Sequence, residues 1–460
     1  MKPGTFQQCV LPRCGATFGA DEVLTRCPAC GGLLDVKYDW SAAAVPRSLS
    51  VWDGRRASSG TSRQALLDQS GVWRFRELIP IADDAHLVTI GEGRTTLQQA
   101  DLLAKAVGMQ SGNLFLQYEG FNPSGSFKDN GMAAAFTVAR YLDRPRVACA
   151  STGNTSAALA LFASQTRTRG GNSMQSIVFI GDAKIAFGKL SQALDYGART
   201  LQIAGDFDDC MRLVQQSAES LGLYLMNSVN PFRLEGQKAI MFRVLEGLAW
   251  QVPDWIIVPG GNLGNCSAFG KAFMELHELG LIDRLPRLAV INAAGANTLY
   301  ELYEKQGVRF ASGDVELDKI DTFYQDRKDY AAQTVASAIE IGRPVNLVKA
   351  LRSLEFLSGV VREVDDEAIL DGKAAVGRMG YGCEPASGAS LAGLSVLLRE
   401  QVISPSDRVV CILTGHQLKD PNATVDYHVA GDGGNDGELT NRPVRVEADL
   451  DAIERAIGLS

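Results

Sequence analysis

Short apolar runs alternate along this chain with longer stretches of helical character. The runs at 113–119, 146–150, 176–180, 200–203, 255–258 and 408–413 are apolar in their interiors and bounded by polar or glycine-rich residues. That is the pattern of strands buried on both faces. Stretches at 129–139, 156–163, 208–217 and 266–277 read as helices, the second apolar and the third amphipathic. Strand and helix succeed one another in order, which predicts an α/β core with mainly parallel sheets. The core is expected over 85–430, with a smaller, mobile domain at about 140–240. A polar, helical arm is expected at 39–84, broken at Gly60-Thr-Ser62 and helical at 64–68. Residues 167–173 read as an exposed loop, and the glycine-rich 431–437 as a flexible link to a short helix at 446–457. No internal repeat is present.

Composition narrows the class. With 460 residues, 46% of them hydrophobic and 21% charged, the chain can bury large cores in more than one domain. A net charge of −8 without a basic stripe argues against a nucleic-acid partner. The start, Met1-Lys-Pro-Gly-Thr-Phe-Gln-Gln, has no apolar run of the secretory kind, and no stretch approaches the length of a membrane span. A cytoplasmic protein with no membrane attachment is expected. Four of the nine cysteines, Cys9, Cys14, Cys27 and Cys30, crowd the first 38 residues as C-x4-C and C-x2-C separated by twelve residues. Such spacing predicts a zinc-ribbon-like module over 1–38 holding one structural zinc. Disulfides are the competing reading, set against the reduced state of cytosolic thiols. Cys149, Cys210, Cys266, Cys383 and Cys411 sit on apolar segments and read as packing residues. The four histidines form no metal or triad constellation.

The chemistry gathers where strands run into helices. Asn122-Pro-Ser-Gly-Ser-Phe-Lys-Asp129 puts Lys128 at such a junction, where the field of a helix start favours the neutral amine that condenses with an aldehyde. Pro259-Gly-Gly-Asn-Leu-Gly-Asn265 follows another strand and opens a helix, a place for backbone N–H groups to cradle a phosphate. It is neither a Walker loop nor Gly-x-Gly-x-x-Gly. Ser151-Thr-Gly-Asn-Thr155 opens a third helix with favoured capping residues. The strand at 408–413 ends in Thr414-Gly-His-Gln-Leu-Lys419.

These segments together resemble the pyridoxal-phosphate enzymes of fold type II, the tryptophan synthase β-like group. Asn227-Ser-Val-Asn-Pro-Phe-Arg-Leu-Glu-Gly-Gln-Lys238 is similar to a segment that marks the threonine synthases among them. Gly91-Glu-Gly-Arg-Thr-Thr-Leu97, the stretch 334–344 and Cys383-Glu-Pro-Ala-Ser-Gly-Ala-Ser390 agree with it. The resemblance spans about 85–425 and implies two α/β domains behind the N-terminal module, the module itself being common in that family. Two departures stand out: Thr96 replaces the proline of Thr-Pro-Leu, and Gln417 replaces the second glycine of Gly-His-Gly.

The roles it implies are specific. Lys128 carries the cofactor, pyridoxal 5'-phosphate, and serves as the catalytic base. Gly261, Asn262, Leu263, Gly264 and Asn265 hold the cofactor phosphate, Asn154 meets its 3-hydroxyl, and Thr414 faces its pyridine nitrogen. A hydroxyl there, unlike an aspartate, does not force that nitrogen to stay protonated. Ser151, Thr152 and Thr155 hold the substrate carboxylate. Asn227, Ser228 and Arg233 bind the phosphate of O-phosphohomoserine, with Lys184 and Lys189 as further cations. The implied reaction converts that substrate and water to L-threonine and phosphate, in an enzyme that works as a homodimer. Two alternatives stay open at this level: a cysteate synthase-like enzyme using O-phosphoserine, and a non-catalytic binding protein on the same fold.

Overall fold

A computed structural model describes residues 1–181, 187–204, 213–214, 220–311, 314–429 and 439–458. The N-terminal module is a three-stranded antiparallel sheet, with β1 (Thr5–Cys9) between β2 (Thr17–Gly19) and β3 (Leu34–Tyr38). Beyond it, the helix expected at 64–68 is present, but the rest of the expected polar helical arm is irregular and much of it is packed into the core. The segment holds one short helix, α1 (Arg63–Gln69), and several 3-10 turns. Trp52, Trp73, Phe75, Ile79 and Ile81 are fully buried in the main core. The reason is spacing: its apolar residues are matched to a neighbouring surface rather than to a helical period, so their burial is invisible in the segment alone.

Two further sheets carry the rest. The smaller has four parallel strands, β6 (Arg146–Ala150), β7 (Gln175–Gly181), β8 (Arg199–Ile203) and β9 (Tyr224–Leu225), in the order β8-β7-β6-β9. The larger contains β4 (Thr96–Gln99), β5 (Leu114–Tyr118), β10 (Trp255–Pro259), β11 (Arg287–Ala293), β14 (Val360–Val364) and β15 (Val409–Leu413). Their order is β14-β11-β10-β15-β5-β4, all parallel except the edge pair β4 and β5. A small hairpin, β12 (Phe310–Ala311) and β13 (Asp314–Val315), stands apart. Because β5, β10 and β15 are parallel neighbours in one sheet, the turns that follow them leave the same edge. Ligands of open α/β sheets bind outside that carboxyl edge.

Helices pack on the sheets to complete the cores: α2 (Lys128–Tyr141), α3 (Asn154–Gln165), α4 (Phe187–Asp195), α5 (Pro231–Gly247), α6 (Gly264–Glu278), α7 (Leu347–Phe356) and α8 (Pro385–Arg399). Helix α5 is buried from Pro231 to Leu245. It crosses α2 so closely that a Cβ at Gly236 would lie 1.9 Å from the Asn130 carbonyl oxygen, and one at Gly131 would lie 2.9 Å from that of Arg233. Two glycines therefore set the distance between the helix that starts at Lys128 and the helix that carries Arg233. Helix α2 begins at Lys128 itself and α3 at Asn154, each slightly earlier than their apolar patterns suggested. The C-terminal helix α9 covers Leu450–Ala456, shorter than the expected 446–457. The expected link at 431–437 and most of the expected helix at 208–217 lie outside the described residues. Cys149, Cys266, Cys383 and Cys411 are fully buried, while Cys210 also falls outside the described residues.

Candidate active site

One cavity opens at the carboxyl edge of the large sheet, and Lys128, the turn after β10, Arg233 and Thr414 all line it. The lysine is placed by its own loop. Gly125 turns the chain with φ +83°, a conformation that other residues adopt only with strain. Two backbone bonds then tie the loop to the turn after β15: Phe127 N–H to Thr414 O at 2.9 Å and His416 N–H to Gly125 O at 2.9 Å. Lys128 Nζ lies 3.7 Å from the centre of the Phe127 ring. Burial first, then the Arg233 guanidinium, lower its pKa to about 7, with Glu384 opposing. The neutral amine expected from the sequence is thus obtained mainly by desolvation and a neighbouring cation. Asp129, beside it, accepts from Ser124 N–H at 2.7 Å, and burial pushes its carboxyl up to about 7.

The phosphate-type loop shows a feature that its glycines conceal. Its strained residue is Leu263, at φ +62°, an uncommon conformation for a bulky side chain. Leu263 is the N-cap of α6, and no side chain caps that helix start. Gly260 and Gly261 are needed for packing: a Cβ at the first would lie 2.6 Å from Asn292 Nδ2, and at the second 3.0 Å from the Ile339 backbone. The first turn of α6 is left open toward the cavity, which suits an anion.

The third and fourth segments meet through a residue to which the sequence reading gave no role. Glu384 is buried and accepts from Asn154 Nδ2 at 2.8 Å and from Thr414 Oγ1 at 2.8 Å. Ser387 Oγ accepts from the Thr414 N–H at 2.8 Å and lies 3.1 Å from Thr414 Oγ1. Gln417 adopts no left-handed conformation; it opens a 3-10 turn, so the missing glycine leaves the turn unstrained. His416 caps that turn, with Nδ1 accepting from Leu418 N–H at 3.1 Å.

On the opposite wall, Arg233 is 2% exposed and donates from Nη1 to Met226 O at 2.9 Å. Its Nε has no partner, and no carboxylate pairs with it among the described residues. Burial lowers its pKa to about 10. Ser228 lines the same cavity. Asn227 is placed differently: its Oδ1 accepts from Ala150 N–H and its Nδ2 donates to Ala150 O, both at 3.0 Å. Its side chain splints the strand end β6 to the turn before α5. Ser151, Thr152 and Thr155 stand at the start of α3 beside Asn154, which bonds the lining residue Glu384; they are not themselves part of that lining, and Ser151 Oγ accepts from Gly153 N–H at 3.2 Å. Lys184 and the side chain of Lys189 lie outside the described residues. Gln237 and Asn346 were missed by the sequence reading; both line the cavity, and each has a buried oxygen without a partner, as does Asn265.

The four N-terminal cysteines do come together. Their sulfurs lie within 4.8 Å of one another, Cys9 to Cys30 at 3.4 Å and Cys14 to Cys27 at 3.7 Å. A tetrahedral shell with Zn–S of about 2.3 Å has edges of about 3.8 Å.

Pyridoxal phosphate fits the main cavity. An uncapped helix start and the unpartnered Nε donor of Arg233 suit an anionic, oxygen-rich ligand. A lysine with a partly neutral amine stands opposite. Comparison with known proteins agrees. The family model described as pyridoxal-phosphate dependent enzyme matches residues 88–415. The threonine synthase of Methanocaldococcus jannaschii is 38% identical, over 98% of this chain and 99% of its own. Threonine synthase 2, chloroplastic, of Arabidopsis thaliana is 36% identical, over 96% of this chain and 82% of its own. Among solved structures, maize serine racemase (20% identical, TM-score 0.54, 70% of this chain and 88% of its own) shares the fold. So does threonine deaminase isoform 2 of Solanum lycopersicum (16% identical, TM-score 0.55, 70% of this chain and 79% of its own).

Proposed function

The chain belongs to the pyridoxal-phosphate dependent enzymes and, within them, to the threonine synthases, and from that premise we propose that it converts O-phospho-L-homoserine and water to L-threonine and phosphate. Arg233 carries the substrate reading. It is a buried guanidinium in the wall of the Lys128 cavity with no carboxylate partner among the described residues. An unpaired buried charge costs several kcal/mol, and an anionic group on the substrate offsets that cost. A phosphate monoester offers the guanidinium a matching set of oxygens, with the Ser228 hydroxyl beside it. Asn227 contributes by bracing the turn that bears both.

In this reading Lys128 tethers the cofactor, the 261–265 turn holds its phosphate, Asn154 its 3-hydroxyl and Thr414 its ring nitrogen. Bound pyridoxal phosphate supplies an electron sink for charge developing at the substrate's α-carbon. Lys128, with its proton affinity near pH 7, takes the α-proton and later returns it at the same atom. Ser151, Thr152 and Thr155 orient the substrate carboxylate. Arg233 and Ser228 position the leaving phosphate, which departs from Cγ with the bonding electron pair. Cβ gives up a proton in that elimination, Cγ regains one, and water then adds its hydroxyl at Cβ, its remaining proton leaving with the phosphate. Phe127 and Ile339 help to keep the lining dry.

One structural zinc on Cys9, Cys14, Cys27 and Cys30, a cytoplasmic location and a homodimeric assembly belong to the same reading. Among the described residues no helix is long and apolar enough to cross a membrane. Phosphate release by the purified protein decides the substrate. Release from O-phosphohomoserine, with threonine as co-product, is expected. Turnover only of O-phosphoserine with sulfite would replace the reading by the cysteate synthase-like one.

A further inference from the structure

The wall of the Lys128 cavity offers acceptors that two anionic ligands do not use. Gln237 Oε1, Asn265 Oδ1 and Asn346 Oδ1 are buried there without a hydrogen-bond partner. Phosphate monoesters are largely dianionic near neutral pH, so the phosphates of cofactor and substrate bring oxygens and need donors. An amide oxygen needs a proton-bearing partner, and a buried acceptor left unpaired is costly. Among the reactants in the reading above, water is the one that brings two protons. Asn265 belongs to the turn around the cofactor phosphate, and Asn346 is tied by Nδ2 to Ser228 O and Asn262 O, both at 3.3 Å. Gln237 is placed otherwise. It is 3% exposed and follows Arg233 by one turn of α5, so the two side chains share a face. Its stem lies against α2 one turn beyond Lys128: a Cβ at Gly131 would be 3.5 Å from Gln237 Cγ. Lys128 works at the substrate's Cα, and Arg233 holds the phosphate on Cγ. The carbon between them is Cβ, where water adds.

We infer that Gln237 is a further catalytic residue, which holds the water that adds at Cβ beside the leaving phosphate. The inference deepens the function proposed above and rests on it. A lone pair of the water oxygen forms the new bond at Cβ; one O–H bond breaks, and that proton leaves with the phosphate. The other O–H stays intact and donates to Gln237 Oε1, so the amide neither gains nor loses a proton. Without a held water, the unsaturated four-carbon amino acid left by elimination has another fate. It leaves the site and loses its nitrogen to water at Cα, giving 2-oxobutanoate and ammonia. Either route consumes one water per phosphate released, so the product ratio shows at which carbon the water arrived.

The test counts the threonine, 2-oxobutanoate and phosphate that the holoenzyme makes from O-phosphohomoserine. Gln237→Met keeps the length of the side chain and removes its acceptor. It is expected to lower the ratio of threonine to 2-oxobutanoate by about tenfold, the size of one lost hydrogen bond. The ratio is read per phosphate released, so a slower variant is scored on the same scale. Gln237→Asn draws the amide back by one carbon and should fall between wild type and Gln237→Met; it serves as the test if the methionine variant folds poorly. A wild-type ratio in a folded, cofactor-loaded variant overturns the inference. So does weaker cofactor binding with the ratio unmoved, which assigns Gln237 to the cofactor phosphate. If the wild type releases no phosphate from O-phosphohomoserine, the proposed function fails and takes this inference with it.

Discussion

Arg233 and Lys238 are both cations on the buried helix α5, yet their surroundings could hardly differ more. Lys238 Nζ lies 2.6 Å from Glu235 Oε2 and 2.5 Å from Glu275 Oε2. Lys271 reaches both of the same carboxylates, and Tyr38 from the N-terminal module donates to Glu235 at 2.7 Å. That cluster is closed: two ammonium groups, two carboxylates, and a phenol from another module. Arg233, on a neighbouring turn, has one carbonyl and, among the described residues, no carboxylate. Burial costs the two cations similarly, so the difference lies in what cancels the cost. Around Lys238 the protein supplies the counter-charge and the result is architecture. Around Arg233 it supplies none, and the site is left to a ligand.

Five measurements can break or sharpen that contrast. The largest effect is expected at Lys128, the open site's other cation. Lys128→Ala should abolish covalent attachment of the cofactor and lower turnover by at least about 10⁴-fold. Mass mapping that finds the reduced cofactor on a different lysine sinks the assignment. In the closed cluster, Glu235→Ala strips both lysines of one partner and should destabilise the fold by roughly 3–5 kcal/mol. Denaturant unfolding measures it; a loss below about 1 kcal/mol would mean the cluster is not structural.

Arg233→Ala should behave in the opposite sense to Glu235→Ala. Removing a charge-assisted contact to the substrate phosphate costs about 2–4 kcal/mol, or about 30- to 1000-fold in kcat/KM for O-phosphohomoserine. Stability should hold or rise, because an unpaired buried charge is gone. If the variant instead unfolds early or loses cofactor, Arg233 is structural and the contrast fails.

The pH dependence separates the two sites again. Capture of pyridoxal phosphate by apoprotein needs neutral Lys128, whose pKa lies at about 7. The capture rate should level off above that pH and fall about tenfold per unit below it. Arg233 is one cause of the lowering, so in Arg233→Ala the profile should move to higher pH. A profile that stays in place would show the two cations to be uncoupled. The smallest effect is expected from the metal. Cys27→Ser with Cys30→Ser should remove about one zinc per chain and lower the melting temperature through the Tyr38 and Asp35 contacts. Asp35 pairs with Lys349 at 3.1 Å and Arg352 at 2.6 Å on α7. The kcat/KM should stay within a few-fold; metal-free wild-type protein would leave the four cysteines without that role.

Local pattern was enough for much of the fold. The strands at 114–118, 146–150, 255–259 and 409–413 fall on the apolar runs, because a strand buried on both faces must be apolar throughout. The arm at 39–84 was misjudged, because its tryptophans and isoleucines pack on a distant surface and follow no helical period. At the site, the lysine loop, the glycine turn and the Thr414 segment were legible, each being a contiguous strand-to-helix junction. Asn227 was legible as a segment but not as a brace, since its two bonds reach back to Ala150, 77 residues earlier.

What the sequence by itself determined is which chemical groups leave the carboxyl edge of the strands: an amine, a phosphate cradle, a hydroxyl and a guanidinium. Their state was decided only by the tertiary structure. Lys128 has its pKa lowered to about 7 first because the fold buries it, and then because α5 brings Arg233 beside it across the Gly131 and Gly236 contact. Arg233 is unpaired because the carboxylates of α5 and α6 close on Lys238 and Lys271 instead. Thr414 faces Glu384, which also holds Asn154 from 230 residues away. Proton affinity and hydrogen-bond direction depend on neighbours within a few ångströms, and in this fold those neighbours come from separate strands and helices that local pattern cannot bring together.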